Sequence, residues 1–289
     1  MRARTAVIPA AGLGTRFYPV TKAVPKELLP IYDVPALQLV MDEAVGAGAD
    51  HIVLVSSRVK TPIEKFVTPD AAVVEKVRAS GREDLANRLA RIGTDVKVTI
   101  TYQDNPHGLG HAVGCARAAV GDEPFMLLLP DELRSGPQLL NALADSCEKR
   151  GVSAIELLRV PMEKVSAYGV ITHLPGAPAD GPFDIVGIVE KPAREDAPSD
   201  LIIAGRYVCT PDIFEKIDII KPAPNGELQL TDALELQSGD SPITGVLSTV
   251  TRWDTGTPMG WLEAVVDAAL ANPDSSAAAR ALFADRLAR

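Results

Sequence analysis

The sequence has few aromatic residues, few cysteines and no long uninterrupted apolar run. Only 4% of its 289 residues are aromatic, and its three cysteines are widely spaced, at Cys115, Cys147 and Cys209. An odd number of dispersed cysteines indicates neither a disulfide framework nor a zinc knuckle. No apolar run approaches the ~20 residues that cross a bilayer, and no signal-like segment opens the chain. We therefore expect a cytoplasmic protein with no membrane partner.

Positive charge is also in deficit, with 29 Lys+Arg against 38 Asp+Glu and a formal net charge of −9. A general nucleic-acid binder needs a broad basic face, so this balance argues against a nucleic-acid partner. Residues 1–30 reverse the sign, because five basic residues there face a single acid, Glu27, which gives +4 and leaves −13 for the remainder. A cationic segment in an acidic protein favours a small polyanionic ligand.

Strand-like and helical patterns alternate through the first half of the chain. Continuous apolar runs such as HIVLVSS predict strands that are buried on both faces. The predicted strands are TAVIPA, HIVLVSS, VKVTITYQ and PFMLLLPDE, and the predicted helices are PALQLVMDEAVGAGA, residues 61–92 and GHAVGCARAAV. This alternation is typical of a parallel sheet covered by helices.

The pattern changes after about residue 150. Four strand-like segments follow one another across turn-rich sequence, namely VSAIELLRV, YGVITHL, DIVGIVEKP and DLIIAGRYVCT. They predict an antiparallel or mixed extension of the sheet. Two helical patterns, TPMGWLEAVVDAALA and SSAAARALFADRLA, follow near the C-terminus, with Pro273 as a breaker and Asp274 as a helix cap between them.

The cationic segment contains a long loop, AAGLGTRFYPVTKAVPKELLP at residues 10–30, directly after the first predicted strand. It does not match the dinucleotide pattern G-x-G-x-x-G, because Phe17 stands where the third glycine is required. It does not match the Walker A pattern either, because Thr15 and Arg16 follow Gly14. Three prolines exclude a regular helix across the segment.

The loop nevertheless has the parts of a phosphate site. Gly12 and Gly14 allow backbone N–H groups to approach phosphate oxygens closely. Arg16 offers a planar fork of donors, whereas Lys22 and Lys26 offer point charges. A surface loop with solvated charges is the alternative interpretation.

Ordered motifs across the chain carry a family resemblance. The pattern Gly-x-Gly-Thr-Arg-x-x-Pro-x-Thr-Lys-x-x-Pro-Lys-Glu-x-Leu-Pro is followed by YGVI, VEKP, GRYVCTPDIF, GELQLTDAL and WDTGTPMGWLEA. Together these motifs resemble the sugar-1-phosphate nucleotidyltransferases over residues 5–270, and most closely their uridylyltransferase branch. The thymidylyltransferase branch usually has Ser-Lys-Gln and Gly-Leu-Ala-Gln-Ala where this chain has Pro-Lys-Glu at 25–27 and Gly-Leu-Gly-His-Ala at 108–112.

The resemblance implies a Rossmann-like α/β/α nucleotidyltransferase fold with a mixed central sheet and a small antiparallel extension. It implies a main domain at residues 1–272, with nucleotide binding mainly in 1–150 and sugar-phosphate binding mainly in 151–272, and a C-terminal helix at 273–289. The implied reaction transfers a uridylyl group from UTP to glucose 1-phosphate, and the implied assembly is a homodimer or homotetramer. Use of dTTP and a non-catalytic nucleotide-sugar sensor are the alternatives.

By the same resemblance, the first half of the chain binds the nucleotide. Arg16 and Lys26 neutralise the triphosphate and count as catalytic together with Lys191. The residues expected to contact the nucleotide are Ala10, Ala11, Gly12, Gly14, Gln103 and Gly108. Uracil offers two acceptors and one donor, which an amide side chain and a backbone group can match, and the resemblance implies Gln103 and Gly108. We expect His111 to be structural.

Two aspartates are expected to bind Mg²⁺, which takes few protein carboxylates because it retains several waters. Asp131 ends the run FMLLLP, where a parallel strand would deliver it to the carboxyl edge of the sheet. Asp254 corresponds, by the resemblance, to the family's second metal carboxylate. On sequence alone, Asp131 also fits a strand-end acid and Asp254 a turn-forming residue. Glu132 stands where many relatives have a second Asp, which leaves its role open.

The sugar phosphate is expected to meet Gly169, Glu190 and Lys191, although Glu190-Lys191 also fits an exposed ion pair. The resemblance places Glu227 and Asp232 near the sugar pocket as well. Because both substrates are anions, positioning and charge stabilisation matter more than proton transfer. The sequence, with four histidines, contains no recognisable nucleophile–base arrangement.

Overall fold

The structure is a computed structural model that describes residues 1–176 and 181–288. Its centre is a nine-stranded sheet, accompanied by two small two-stranded sheets. The strands are β1 Thr5–Pro9, β2 Pro30–Ile31, β3 Val34–Pro35, β4 His51–Ser56, β5 Lys97–Tyr102, β6 Phe125–Leu128, β7 Glu132–Arg134, β8 Ala154–Arg159, β9 Gly169–His173, β10 Phe183–Glu190, β11 Leu201–Cys209, β12 Ile243–Leu247 and β13 Arg252–Asp254. The α-helices are α1 Ala36–Gly46, α2 Thr61–Val67, α3 Ala71–Ala79, α4 Glu83–Arg91, α5 Gly108–Gly114, α6 Arg117–Val120, α7 Gln138–Arg150, α8 Ile213–Ile219, α9 Leu230–Asp240, α10 Pro258–Ala271 and α11 Ser276–Leu287.

The central sheet has the strand order β5-β4-β1-β6-β11-β8-β12-β10-β9. Its first four strands are parallel, as the βα alternation predicts. Strand β11 runs antiparallel to both β6 and β8, and β10 runs antiparallel to both β12 and β9. Strand β12 returns parallel to β8. The mixed central sheet and the antiparallel extension are therefore confirmed.

Two apolar cores cover the two faces of this sheet. Successive side chains of a strand point to opposite faces, so Ala6 and Ile8 pack with α1 and α7, whereas Val7 packs with α5, α8 and α9. All four residues of β6 and all nine residues of β11 are buried, because both strands lie in the middle of the sheet. This rigid centre positions the loops at the strand ends.

Several boundaries differ from the sequence expectations. The helical pattern of residues 61–92 divides into α2, α3 and α4, and that of GHAVGCARAAV divides into α5 and α6. Helices α8 and α9 lie in a segment for which neither a helix nor a strand is predicted from the sequence. Asp274 does not cap α11: Ser275 holds that position without a side-chain cap bond, and the Asp274 N–H donates to Asn272 Oδ1 instead.

The C-terminal segment contains α11, which packs against α10. Arg289, the last residue of the segment predicted as helical, lies outside the described residues. In residues 1–176 and 181–288, no helix combines the length and the apolarity needed to cross a membrane.

Candidate active site

The site lies where the four parallel strands β1, β4, β5 and β6 end at the same edge of the sheet. Ala10 follows β1, Lys60 lies in the loop after β4, Gln103 follows β5, and Asp131 lies just beyond β6. Carboxyl ends of parallel strands meet at one edge, where open α/β sheets bind their ligands. The topology therefore brings together residues that are far apart in sequence.

The loop after β1 turns at Gly14, whose φ of 64° is in the left-handed region. A Cβ at Gly14 would lie 3.2 Å from Lys26 Cβ and 3.3 Å from Thr21 Cγ2, so this position requires glycine. The Thr21 hydroxyl donates to the Gly14 carbonyl at 2.7 Å and fixes the turn. Around Gly12, no heavy atom of the described residues lies within 4 Å of a built Cβ, so a ligand can approach its backbone.

Lys26 and Glu27, which are adjacent in sequence, point in different directions. The Lys26 ammonium donates to Asp131 Oδ2 inside the site. The Glu27 carboxylate is buried and accepts from Lys60 Nζ at 3.0 Å through both oxygens, and Lys60 also donates to the Ala10 carbonyl at 2.8 Å. Sequence reasoning missed Lys60, because a lone lysine after a strand carries no distinguishing pattern.

Burial and charge shift the pKa values of these groups. Burial raises the pKa of Glu27, and the charges of Lys60 and Lys26 only partly oppose this. Burial lowers the pKa of Lys60, with Glu27 opposing. At Asp131, burial alone would raise the pKa, but the charge and hydrogen bond of Lys26, a backbone hydrogen bond and the charge of Arg16 together hold the pKa below its ordinary value. Burial would lower the pKa of Lys26, but the charge and hydrogen bond of Asp131 together with the charge of Glu27 raise it.

Strands β7 and β13 bring the two predicted metal ligands together. They pair antiparallel, with Asp254 opposite Glu132, and the Thr255 N–H donates to the Asp131 carbonyl at 2.8 Å. A Cβ built on Gly256 would lie 3.1 Å from both Asp131 Oδ2 and Asp254 Oδ1. Carboxylate oxygens of both aspartates therefore lie close together beside Gly256, where any larger side chain would crowd them.

This geometry fits the Mg²⁺ expectation. Two carboxylates without further protein ligands suit an ion that keeps most of its waters. Among residues 1–176 and 181–288, no group of three or more His, Cys, Asp or Glu side chains could form a more crowded cage. Arg16 also reaches Gly256. Its Nη1 donates to the Gly256 carbonyl at 3.4 Å, and it would lie 3.4 Å from a Cβ built on Gly256.

Glu132 has a different environment from Asp131. Its Oε1 accepts from Arg252 Nη2 at 2.6 Å, and its Oε2 accepts from Arg252 Nε at 2.7 Å and from Arg134 Nη1 at 3.2 Å. Both carboxylate oxygens are engaged by guanidinium groups. The role that the sequence left open is therefore structural in this geometry.

A cavity of about 300 Å³ opens beside the loop. Six predicted site residues line it, namely Ala11, Gly12, Lys26, Gln103, Gly108 and Asp131. Ala10, Gly14, Arg16 and Asp254 do not line it: Ala10 is held by Lys60, Gly14 forms the turn, and the other two meet at Gly256. Glu227, expected near the sugar, lines this cavity instead.

Gln103 and Gly108 form one wall of this cavity. The Gln103 side-chain nitrogen donates to the Gly108 carbonyl at 3.0 Å and contacts His111 Nδ1 at 2.9 Å. Gly108 has φ +92°, and a Cβ there would lie 2.6 Å from the Leu228 carbonyl oxygen, so this position also requires glycine. His111 orients Gln103, and burial lowers its pKa, which agrees with a neutral structural histidine.

A second cavity of about 210 Å³ adjoins the first, and Leu109 lines both. Gly169, Glu190 and Lys191 all line it, as the resemblance implies. Lys191 Nζ lies 2.7 Å from Glu190 Oε1, and the Thr231 hydroxyl donates to Glu190 Oε2 at 2.8 Å. Lys191 has a positive φ of 45°, the conformation with which β10 ends at this wall.

A family model described as Nucleotidyl transferase matches residues 5–269. The chain belongs to this family. A UTP–glucose-1-phosphate uridylyltransferase of Streptococcus pneumoniae serotype 4 is 40% identical over 277 residues, which is 94% of this chain and 92% of that relative.

Solved structures give the same assignment for this nucleotidyl transferase. A UTP-bound UGPase from Acinetobacter baumannii has a TM-score of 0.89 and 33% identity, covering 97% of this chain and 98% of that one. A UDP-glucose pyrophosphorylase complexed with UDP-glucose has a TM-score of 0.80 and 35% identity, covering 92% of this chain and 98% of that one. The family resemblance and the nucleotidyltransferase fold expected from the sequence are confirmed.

The nucleotidyl transferase also has a larger cavity, of about 720 Å³, away from this edge of the sheet. It lies behind β7 and β13, where Leu133 and Trp253 face α1 and α10, and its lining is mainly apolar. None of the site residues predicted from the sequence lines it. Its size alone does not make it the reaction site, because three of its five charged lining residues are acids and its Arg134 is paired with Glu156, whereas phosphate chemistry requires available cations.

Proposed function

We propose that this protein transfers a uridylyl group from UTP to glucose 1-phosphate, giving UDP-glucose and pyrophosphate. The observation that carries this proposal is the pair of adjoining cavities that share Leu109. One offers Lys26 and Asp131 for a metal-bound triphosphate, and the other offers Lys191 for a sugar phosphate. The relatives with bound UTP and bound UDP-glucose support the same pair of ligands.

The reaction joins two anions. A phosphate oxygen of glucose 1-phosphate attacks the α-phosphorus of UTP in line, and the bond to the oxygen that bridges to the β-phosphate breaks, releasing pyrophosphate. The attacking oxygen is already ionised near neutral pH, so no general base is needed. We assign Arg16 and Lys26 to the triphosphate and Lys191 to the sugar phosphate, because positioning and charge neutralisation dominate phosphoryl-transfer catalysis.

We propose that Asp131 and Asp254 hold one Mg²⁺. When bound, this ion neutralises the charge that develops on the phosphate oxygens. The support is the convergence of both carboxylates on the side of Gly256 that carries no side chain. Lys26 pairs with Asp131, so its ammonium balances the charge of that carboxylate.

The base is recognised, in this proposal, by Gln103 and the Gly108 backbone. Both contacts of the Gln103 side chain use its nitrogen, so its amide oxygen can accept from uracil N3–H. The Gly108 N–H can donate to an exocyclic oxygen of the base. Gly169 and Glu190 are assigned to the sugar, where the Glu190 carboxylate can accept from hydroxyl groups.

The test is a substrate panel. Purified protein with UTP, glucose 1-phosphate and Mg²⁺ should release pyrophosphate, whereas other nucleoside triphosphates and other sugar 1-phosphates should react more slowly. Equal or faster turnover with dTTP would overturn the assignment to UTP. Absence of pyrophosphate with every pair, in the presence of metal, would overturn the enzymatic assignment.

The sensor alternative predicts a different outcome for one variant. Asp131→Asn should abolish turnover in an enzyme, while most of the affinity for UDP-glucose that is measured in EDTA remains. A sensor would show no turnover in either protein. Calorimetry with UDP-glucose and a pyrophosphate-release assay on the same two samples separate these cases.

We also propose the division of the main domain and the assembly. The nucleotide-binding half would end near residue 150, and the sugar-phosphate-binding half would extend to residue 272, ahead of the C-terminal segment at 273–289. A homodimer or homotetramer could use α10 and α11, which carry the exposed apolar residues Met259, Leu262 and Leu282. Light scattering of the purified protein tests the assembly.

A further inference from the structure

Two short strands, β7 and β13, determine where the two proposed metal ligands lie. Strands β7 and β13 have three residues each and are separated by more than a hundred residues of chain, and within residues 1–176 and 181–288 they pair only with one another. Two-stranded sheets are marginally stable by themselves. Asp131 lies immediately before one strand, and Asp254 is the last residue of the other. The ladder alone does not set the spacing of the carboxylates: β7 also packs against α1, β13 packs against α10, and the Thr255 N–H donates to the Asp131 carbonyl.

Glu132 and Arg252 form an ion pair that links the two strands. Arg252 grips both oxygens of Glu132 with a fork, at 2.6 and 2.7 Å, and the two side chains are only 20% and 13% exposed. Bidentate guanidinium–carboxylate pairs fix direction as well as distance. Each member is within two residues of a metal carboxylate: Glu132 follows Asp131, and Arg252 is two residues before Asp254.

The same guanidinium reaches the sugar side of the site. The Arg252 Cζ atom lies 5.9 Å from the centroid of the Tyr168 ring, within cation–π distance. Tyr168 lines the second cavity, and its carbonyl accepts from the Lys191 N–H at 3.0 Å. Arg252 lies on the strand that ends at Asp254. It contacts Glu132, which follows Asp131, and Tyr168, which lines the same cavity as Lys191.

We propose that Glu132 and Arg252 are positioning residues that hold Asp131 and Asp254 at the spacing for a shared divalent cation and join that site to the sugar pocket through Tyr168. This inference rests on the proposed function. Neither side chain touches a substrate in this account, since both oxygens of Glu132 are occupied by guanidinium groups. An ion pair that only stabilised the fold would affect unfolding and leave metal-dependent binding unchanged.

The experiment measures UDP-glucose affinity by calorimetry, once with Mg²⁺ and once with EDTA. The wild type should bind more tightly with Mg²⁺. Arg252→Lys keeps the charge over Tyr168 but loses the fork, so it should lose about 10- to 100-fold of the Mg²⁺-dependent gain while its affinity in EDTA is unchanged. Glu132→Gln, which keeps the size of the side chain, should do the same.

Arg252→Gln separates the second part of the proposal. It removes both the fork and the cation–π contact, so its affinity in EDTA should fall as well, by roughly two- to fivefold. Arg159→Gln is the matched control, because Arg159 pairs with Asp200 at an exposed position and should leave both affinities unchanged. Circular dichroism checks that each variant is folded, and Glu132→Gln carries the test if an arginine variant is not.

The outcomes distinguish the two levels of the proposal. If the wild type does not bind UDP-glucose, the proposed function fails, and this inference fails with it. If the wild type binds with a Mg²⁺-dependent gain that folded Arg252→Lys and Glu132→Gln retain in full, only the positioning pair is disproved. Loss of affinity to the same degree with Mg²⁺ and with EDTA in Arg252→Lys would also disprove the metal part.

Discussion

The charged side chains at the open edge of the sheet differ in exposure and pairing from those buried in the fold. At the open edge of the sheet, Arg16 is exposed and donates to the Gly256 carbonyl, and Lys191 is 54% exposed and pairs with Glu190. Beneath them, Arg206 and Arg134 are fully buried, and each has a carboxylate partner and several carbonyl acceptors. The exposed cations keep donors that can bind a phosphate, whereas the donors of the buried arginines are used in hydrogen bonds that stabilise the fold.

The difference has a physical origin. Burying a charge without partners lowers the free energy of unfolding by roughly several kcal/mol. Buried charges are therefore found where ion pairs and hydrogen bonds engage all of their polar atoms. A partly exposed charge is stabilised by water and keeps donors for a ligand. Substitutions in the buried layer should therefore reduce stability, and substitutions at the open edge should reduce activity.

The largest effect is expected from Arg206→Met. Arg206 donates to both oxygens of Glu43, at 2.9 and 2.7 Å, and to three carbonyl groups. Its removal leaves the buried Glu43 carboxylate unpaired and should lower the free energy of unfolding by about 3–5 kcal/mol, measured by urea denaturation. The exposed-pair variant Arg159→Gln should lose less than about 1 kcal/mol.

A double variant sharpens this prediction. Replacing the pair by Arg206→Met and Glu43→Leu removes both charges, so much of the lost stability should return. If the single variant lost no more than Arg159→Gln, or if the double variant were less stable than the single one, the buried pair would not have the role assigned to it.

Lys26→Met should produce the next largest effect, but in catalysis. Lys26 is the cation that lies between the loop and Asp131, so its loss should reduce kcat by about 10²–10³-fold, as removal of one charge-stabilising donor does elsewhere. Steady-state kinetics measure this. Lys65→Met, at an exposed position of α2, is the control and should keep wild-type kcat. Equal kcat in the two variants would contradict the assignment.

Residues at the open edge could be predicted from the sequence, whereas the ion pairs of the buried layer could not. The glycine loop, the parallel strands and Asp131 are encoded locally, by a motif and by apolar runs that end in a polar residue. Glu43 and Arg206 are 163 residues apart, and charged residues normally face solvent, so no periodicity predicts their pairing. Asp254 depended on the family resemblance, because an aspartate before Thr-Gly equally fits a turn.

One missed element did have a local signal. Helix α9 buries Leu230, Ala233, Leu234 and Gln237, with the i, i+3, i+4, i+7 spacing of a helix face. The glutamine among the buried positions weakened that pattern. Its side-chain nitrogen donates to Thr210 and Asp212, which compensates for the burial of that half of the amide.

A smaller, substrate-specific effect is expected from Lys191→Gln. Its side chain is half exposed, so the fold does not depend on it. Loss of a charged hydrogen bond to the sugar phosphate should raise KM for glucose 1-phosphate by about 10- to 100-fold and leave KM for UTP nearly unchanged. Lys164→Gln, at an exposed position nearby, is the control for both constants. An equal rise in both KM values would show that Lys191 does not distinguish the substrates.

The smallest effect concerns Lys60 and Glu27, which lie in the buried layer but hold the loop of the open edge. Burial raises the pKa of Glu27 against the opposing charges of Lys60 and Lys26, and Lys60→Met removes one of those charges. A carboxyl whose folded pKa exceeds its unfolded value of ~4.3 loses stability as the pH rises from that value through the folded pKa. Relative to the wild type, Lys60→Met should therefore be less stable at pH 7 than at pH 5, with a slope of up to about 1.4 kcal/mol per pH unit.

The extra variant Glu27→Gln identifies the group responsible for this slope. In Lys60→Met with Glu27→Gln the titrating carboxyl is absent, so urea denaturation at pH 5, 6 and 7 should give a pH dependence shallower than in Lys60→Met alone. Lys26 still faces position 27 in both proteins, so its contribution is common to them. A slope that persisted in the double variant would belong to another group, and Lys60 would then hold the loop through its hydrogen bond to the Ala10 carbonyl rather than through the charge of Glu27.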